Sequence, residues 1–519
     1  MSGNNHGSRL IRNSLFNLFN NLVMMAMTWV ISIWVARQLG PENYGIFSMA
    51  LWVTGVFSWV IGLGLIHAVT KFVSEQTGAG NHVEAGRVVA FVMRIEILLS
   101  VIVTVVLCFF ASPIADFFFS PKESFFFFLA FLGLLPGAVT AVLSATIEGI
   151  QKFGYFTVAS LLISPLSFAA KIIALLMHTG ITGQLVVMLV FSFVNVLFYW
   201  IVLNKVGMKF SLISPSPEKS LLKRIARYNS SVMTITLVDK VVWDKSENFF
   251  LGRLCNACEI AYYNLGFNVA QRFTSILPAT FWRVLFPAMS GYFGSSDETK
   301  MRRLFFLSTR YIAFAAIPLA IAGAMLSWDI VSLLYGHPYA GAKPVLQIMF
   351  LISIATSLAQ PGAAILYGYE RQSFIYKLGF IMALVNITLD ICLIPRFGAF
   401  GAVICYSITT VIGTSIGTTW TCRMMKLPFP FVSVTKIAFA SVVMGLVMEF
   451  VRLKTSGIFG LVITGLIGTI TYLVCSLAIA SIEDEDFMLL ERVRDTMPTM
   501  LRPAIGSLIE VISQVKPRR

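Results

Sequence analysis

The sequence predicts an all-α polytopic membrane protein of about fourteen transmembrane helices, in two six-helix lobes followed by two further helices. Three observations carry this. Only 12% of the 519 residues are charged while 57% are hydrophobic, against roughly 25% charged in an ordinary soluble domain. Apolar runs long enough for the roughly 20 residues that cross a bilayer core recur along the whole chain. The third observation is an internal repeat, its matched stretches about 216 residues apart.

Gly, Pro and charge punctuate the apolar runs into helices at 10–39, 44–71, 86–112, 124–149, 154–178 and 182–206, a first lobe spanning 1–206. The first of these runs past the roughly 7 to 15 residues of a secretory h-region and shows no small-residue cleavage site, so it is expected to be retained. A polar cytoplasmic linker, 207–228, carries Pro215, Pro217, Glu218, Lys219, Lys223, Arg224 and Arg227. Helices at 229–254, 260–290, 302–335, 343–368, 373–395 and 399–425 make a second lobe, 229–426. Two more helices, 431–451 and 458–481, lie within 427–481. The tail, 482–519, spaces Ile505, Leu508, Ile509, Ile512 and Val515 as one face of a helix, which suits the membrane surface or a protein partner equally.

The net charge of +14 belongs to this membrane class, where excess Lys and Arg hold cytoplasmic segments, and nucleic acid is not expected as a partner. With the N-terminus inside, inner segments hold Arg9, Arg12, Lys71, Arg87, Lys152, the linker cluster, Lys300, Arg302, Arg303 and Arg423, while outer ends hold far fewer basic residues. Both termini are therefore expected in the cytoplasm, with the protein in the cytoplasmic (inner) membrane. The seven Cys lie mostly within apolar segments. Cys255 and Cys258 have metal or redox spacing but no second pair and no nearby His pair, so coincidence is favoured and no metal or other cofactor is expected.

The lobes read as copies. Ala36-Arg37 and Gly45-Ile46-Phe47-Ser48 match Gly252-Arg253 and Ala261-Tyr262-Tyr263-Asn264, with 253 − 37 = 216. Gly149-Ile150-Gln151-Lys152 resembles Gly368-Tyr369-Glu370-Arg371 at 368 − 149 = 219, and Gly180 to Gly183 matches Gly398 to Gly401 at 398 − 180 = 218. Because each copy has an even number of helices, the repeats are expected to be parallel, related by a pseudo-twofold axis along the membrane normal.

Three of these stretches carry a family resemblance. Arg37-Gln38-Leu39-Gly40-Pro41-Glu42-Asn43-Tyr44-Gly45-Ile46-Phe47, Phe249-Phe250-Leu251-Gly252 and Gly398-Ala399-Phe400-Gly401-Ala402 resemble the polysaccharide transporters, of O-antigen type, within the multidrug/oligosaccharidyl-lipid/polysaccharide exporter superfamily. The resemblance spans nearly the whole chain. It implies two six-helix bundles facing one another across a central cavity and the movement of a polyprenyl-pyrophosphate-linked oligosaccharide between leaflets. Membrane lipids, a coupling ion such as H+ or Na+, and polysaccharide-assembly proteins are the partners implied.

Charge inside a membrane costs roughly 2.5–3.5 kcal/mol per central Lys, Arg or Asp on insertion scales, so such residues face a cavity or a partner. The helix at 229–254 carries Asp239, Lys240, Asp244, Lys245 and Glu247, of which Lys240, Asp244 and Glu247 share one face. Subtracting 216 maps Asn229, Met233, Thr236, Lys240 and Asp244 onto Asn13, Asn17, Asn20, Met24 and Thr28, a polar stripe on the first helix. Two such stripes are expected of helices facing a wet cavity; interhelical hydrogen bonding is the plainer alternative. On the helix at 260–290, Asn264, Asn268, Gln271, Arg272 and Ser275 share a broad face, with Arg283 nearer the cytoplasm. The matching helix presents Ser48, Trp52 and Trp59, which either stack on sugar rings or pack between helices. Arg94 and Lys171 fit snorkelling, and Glu96, Glu148 and Asp390 fit carboxyls that take up a proton as well as any transport role.

In the leading reading Lys240, Arg272 and Arg283 hold the pyrophosphate. Asn17, Asn20, Asn268, Trp52 and Trp59 accommodate sugars, and Asp239, Asp244 or Glu247 couple an ion. A cation-coupled drug exporter is the alternative, favoured by the carboxylates of 229–254 and disfavoured by Arg272. A glycan polymerase or ligase ranks lower, since no large outer loop, paired carboxylates or nucleophile elbow is present, so the chain is not expected to be an enzyme.

Overall fold

A backbone in lipid must satisfy its own hydrogen bonds, and for an apolar chain of this kind the helix is the local solution. The computed structural model describes residues 3–479 except 63, 209, 244, 245, 296 and 370. Side chains are described outside 3–26, 231, 234–243, 276, 277, 279, 280, 283, 284, 290, 293–295 and 372. Every regular element among the described residues is helical. In chain order they are α1 (Gly3–Gly62), α2 (Leu65–Gly78), α3 (His82–Phe109), α4 (Ala111–Phe118), α5 (Ser124–Leu132), α6 (Leu134–Gly149), α7 (Gly154–Leu176), α8 (Gly180–Val206) and α9 (Lys219–Trp243), continuing as α10 (Glu247–Leu254), α11 (Ala257–Thr274), α12 (Ile276–Ser295), α13 (Glu298–Leu334), α14 (Ala342–Gly368), α15 (Gln372–Met424), α16 (Phe431–Arg452) and α17 (Gly457–Ala478). Two short 3₁₀ turns, Pro121–Glu123 and His337–Tyr339, complete the set.

Ten helical segments among the described residues are long and apolar enough to cross a membrane. Three of them run 36, 37 and 52 residues, well beyond the roughly 20 that one crossing needs. The first and the last are broken by a glycine in a conformation that a residue with a Cβ rarely adopts: Gly40 in α1 (φ 73°, ψ 168°) and Gly398 in α15 (φ 54°, ψ −133°). The segments α9 to α12 are more polar and fall outside the ten. The exposed apolar surface is extensive and includes Leu98, Phe109, Leu162, Leu446 and Phe459, the pattern of a surface whose solvent is lipid.

Several predicted elements end elsewhere. The helix expected over 44–71 divides at Gly64, which takes φ 81° ahead of α2. The stretch 124–149 breaks at Gly133 into α5 and α6, and 260–290 breaks at Ser275 into α11 and α12. The polar linker is shorter than its composition suggests, because α9 begins at Lys219. Leu221 and Ile225, one turn apart, are buried on the same core as Phe72, Val73, Leu203 and Met208, so the basic residues between them ride an amphipathic first two turns. The tail residues 482–519 lie outside the described residues.

The chain divides into two compact units, Met1–Tyr262 and Tyr263–Arg519. In the first, α2, α3, α6 and α8 close around Val69, Phe72, Val89, Val92, Leu143 and Leu203. The start of α9 is bolted to the α2–α3 hairpin. Arg224 donates twice to Glu75, at 2.8 and 3.0 Å, and the Glu218 amide donates to Glu84 Oε1 at 2.8 Å. Lys71 lies over the Tyr228 ring at 4.1 Å. In the second unit, Leu285, Met289, Phe305, Ile312 and Ile365 form a core. The final pair of helices packs on α13, where the Tyr472 hydroxyl donates to the Phe314 carbonyl at 2.8 Å and Gly445 leaves room for Ile321, 2.8 Å from where its Cβ would stand.

The proposed repeats share local geometry at matched positions. Gly180 and Gly398 both have positive φ, 61° and 54°. The second glycine of each pair is crowded: a Cβ on Gly183 would meet the Thr179 side chain, and one on Gly401 would stand 2.7 Å from the Leu393 carbonyl oxygen. At the other matched turn, Lys152 N donates to Ile147 O at 3.1 Å and Arg371 N to Leu366 O at 2.8 Å. Tyr155 N then donates to Lys152 O, and Phe374 N to Arg371 O. Each of these pairs is separated by 219 residues (371 − 152).

A candidate functional site

In the second unit a cavity of about 490 Å³ opens between α11, α12, α14 and α15, within the usual range of ligand sites, roughly 300–1,000 Å³. α11 contributes Gln271 and Thr274, with Ser275 at the break that ends it; α12 contributes Trp282; α14 contributes Ser353, Thr356 and Gln360; α15 contributes Tyr406. Ser353, Thr356 and Gln360 recur at i, i+3 and i+7, which keeps them on one face of the helix. Aromatic neighbours hold the walls. Phe267 meets Tyr406 edge-on at 5.6 Å, and Trp282 stacks on Phe286 at 5.6 Å with Tyr367 at its edge.

Among the described residues the lining holds no charged side chain. Its hydroxyl protons are engaged locally: Thr274 donates to Ala270 O at 2.9 Å, Ser353 to Phe350 O at 2.5 Å, and Thr356 to Ser353 O at 3.1 Å. Their oxygens keep lone pairs to accept from a ligand, while Gln271 and Gln360 have amides that donate as well as accept. A neutral lining of amides, hydroxyls and aromatic faces is the chemistry that binds a polyhydroxylated ring.

Of the residues singled out from sequence, Ser275 and Gln271 line this cavity; Asn268 and Arg272, on the same helix, are not among the lining residues. Arg272 follows Gln271 directly, is half-buried, and its Nη1 is enclosed with no hydrogen-bond partner among the described residues. Trp282, Tyr406, Thr356 and Gln360 were not singled out. The i, i+3, i+7 polar pattern of α14 is the signal that could have found the last two.

In the first unit Trp52 and Trp59 are both half-buried on α1, and each indole Nε1 is enclosed without a hydrogen-bond partner among the described residues. Glu247 at the start of α10 is 2% exposed. On α3, Glu96, Ser100 and Thr104 form a buried polar row at i, i+4 and i+8, and neither carboxyl oxygen of Glu96 has a hydrogen-bond partner among the described residues. Glu148 is exposed at the end of α6, whereas Asp390 is fully buried and accepts from Asn386 Nδ2 at 3.0 Å. The side chains of Asn17, Asn20, Asp239, Lys240, Asp244 and Arg283 lie outside the described residues, so the facing stripes expected on the first and seventh helices are not described.

Residues 34–344, more than half of the chain, match a family described as polysaccharide biosynthesis protein. The chain belongs to that family. Among its relatives, the putative O-antigen transporter of Shigella flexneri is 20% identical over 410 residues, covering 78% of this chain and 95% of that protein. The lipopolysaccharide biosynthesis protein WzxC of Escherichia coli K12 is 23% identical over 208 residues, 40% of each chain. An uncharacterized membrane protein in the cps region of Klebsiella pneumoniae is 24% identical over 189 residues, and that match spans 38% of its length. Among solved structures, the lipid II flippase MurJ in an inward closed conformation superposes with a TM-score of 0.69 at 16% identity, over 90% of this chain and 98% of that one. An inward-facing multidrug resistance transporter of the MATE family gives 0.64 at 16% identity, over 78% and 94%. The chain thus shares the fold of both a lipid II flippase and a multidrug resistance transporter.

Proposed function

We propose that this member of the polysaccharide biosynthesis family flips a polyprenyl-pyrophosphate-linked oligosaccharide across the cytoplasmic membrane by alternating access, without catalysing a reaction. The observation that carries the reading is the neutral, amide- and aromatic-lined cavity of the second unit beside Arg272. A drug exporter selecting cations needs carboxylates in its site, and the described residues of this lining include none. The relatives named for O-antigen and lipopolysaccharide export support the same substrate class. In this reading Gln271, Trp282 and Gln360 hold sugar, and Arg272 joins Lys240 and Arg283 in gripping the pyrophosphate.

A second feature suits a lipid-linked substrate. A groove of about 700 Å³ in the second unit runs between α14, α15 and the start of α16; it is lined by Leu351, Leu358, Val411 and Phe429 and carries the single cation Arg423. An apolar track with one guanidinium accommodates an isoprenoid chain whose phosphate lies at one end. The ten apolar spans, two of them broken by glycine, together with α9 to α12, support fourteen crossings in two lobes plus two helices, with both termini cytoplasmic. Glu247, with Asp239 and Asp244, is assigned to coupling H+ or Na+, and polysaccharide-assembly proteins are its functional partners.

The test is surface glycan display in cells lacking their own copy of the gene. Arg272→Gln removes a bidentate charge-assisted contact, a loss of about 2–5 kcal/mol when the partner charge stays buried, and Trp282→Ala removes a stacking face. Both are expected to cut display sharply at unchanged protein abundance in the membrane. Display at wild-type level from both variants rules the assignment out.

A further inference from the structure

The chain leaves α8 in an unexpected direction. α8 spans the membrane and turns Phe193, Leu197, Trp200 and Ile201 outward, each at least 44% exposed, as a lipid-facing helix does. It ends at Gly207 in the left-handed conformation (φ 82°). Phe210 then packs edge-on against Trp200, ring centroids 5.4 Å apart. Trp200 stands six residues before the helix end (206 − 200), about 9 Å down the span at 1.5 Å per residue. Phe210 packs against the core of the first unit as well, so the linker folds back beside α8 instead of running straight into water. Just beyond Phe210, Leu212 is 43% exposed and Ile213 is 93% exposed, the most exposed large apolar side chain among the described residues.

The charges around this segment are one-sided. Lys205, in the last turn of α8, and Lys219 and Lys223, one turn apart on α9, are exposed and have no ion pair among the described residues. The neighbouring acids are already engaged: Glu75 with Arg224, and Glu84 with Arg87 and the Glu218 amide. Glu218 is the remaining exposed carboxylate on the segment. The Arg224 and Glu218 contacts also fix the far end of the linker to the α2–α3 hairpin, so the loop is held at both ends.

We propose that residues 210–219 form a membrane-surface anchor. Leu212 and Ile213 enter the headgroup–acyl boundary of the leaflet in which α8 ends, and Lys205, Lys219 and Lys223 take the headgroups of acidic phospholipids. Apolar insertion beside a cluster of lysines is the general chemistry of interfacial segments. The anchor ties the connection between α8 and α9 to one leaflet, and it holds whatever the transported substrate proves to be.

The test places a polarity-sensitive nitrobenzoxadiazole probe on Ile213→Cys, and separately on Ser216→Cys, in full-length protein whose native cysteines have been replaced. Each is reconstituted in nanodiscs of phosphatidylcholine with or without phosphatidylglycerol. At position 213, blue-shifted emission, quenching by lipid-borne spin labels and protection from aqueous iodide are expected; at 216 the probe should report water. In phosphatidylglycerol discs, Lys219→Gln with Lys223→Gln should raise iodide access at 213, by about fivefold per lysine removed. Iodide quenching at 213 equal to that at 216 in both lipids overturns the anchor. Protection at 213 that ignores both phosphatidylglycerol and the lysine substitutions overturns the headgroup assignment.

Discussion

Gly45 offers the sharpest test of the packing in the first unit. It lies in α1, five residues past the break at Gly40, and a Cβ placed on it would stand 1.8 Å from the Ala257 carbonyl oxygen, 2.5 Å from the carbonyl carbon and 3.1 Å from Cα. The ordinary approach of a carbon to a carbonyl oxygen is about 3.3 Å, so Gly45→Ala forces the two backbones apart by about 1.5 Å. A gap of only 0.5–1 Å already forfeits roughly a quarter to a half of the dispersion well. The obstacle is also backbone, which cannot rotate away as a side chain does. The cost should therefore reach the upper end of the usual overpacking range, about 3 kcal/mol. Gly55, on the same helix with nothing within 4 Å of its would-be Cβ, is the control: Gly55→Ala should be neutral or slightly stabilising, by up to about 1 kcal/mol. Thermal unfolding of the purified variants in one detergent, with yield from the membrane, reads both. A Gly45→Ala protein as stable as the Gly55→Ala protein would refute the close approach of α1 to the first turn of α11.

Two further outcomes are expected. Asn386 donates to the fully buried Asp390 and accepts from the half-buried Thr409 hydroxyl at 2.8 Å, so Asn386→Ala takes a donor away from a buried carboxylate and should destabilise by about 1–3 kcal/mol; Asn386→Asp should do no better, because it replaces the donor with a second acceptor, and wild-type melting of either variant would count against the network. Burial first, and then Glu259, push the Cys255 thiol up to about 11; a variant retaining Cys255 alone should react slowly with maleimide at neutral pH and speed up about tenfold per pH unit toward that value, whereas a plateau already reached near pH 9 would contradict the buried environment.

Composition and hydropathy made the membrane class legible because they report the solvent, and the long apolar runs of α3, α7, α8, α13 and α17 needed nothing else. Element ends were harder. The break at Gly64 and the early start of α9 depend on what packs there, Leu221 and Ile225 on a core assembled from five other helices, and no local pattern carries that. The repeat was proposed from its turns, where a positive-φ glycine such as Gly180 or Gly398 has almost no substitute. The candidate site was half legible. Gln271 and Ser275 stood out as part of one polar face with Asn264, Asn268 and Arg272, but Trp282 and Tyr406 look like ordinary membrane aromatics until α12 and α15 are placed beside them.

The turn at Gly398 holds a consequence for how this chain can vary. A single non-helical residue joins the two halves of α15, so no slack separates them and their rotational phase is locked. Adding or removing one residue there would swing everything downstream by about 100° about the helix axis, carrying Tyr406 off the cavity and Thr409 off Asn386 together. Gly180, where α7 hands over to α8 within a few residues, is nearly as unforgiving. Changes of cargo should then arise by exchanging side chains at fixed length, while insertions, epitope tags and fused reporters belong in connections that can absorb a register change.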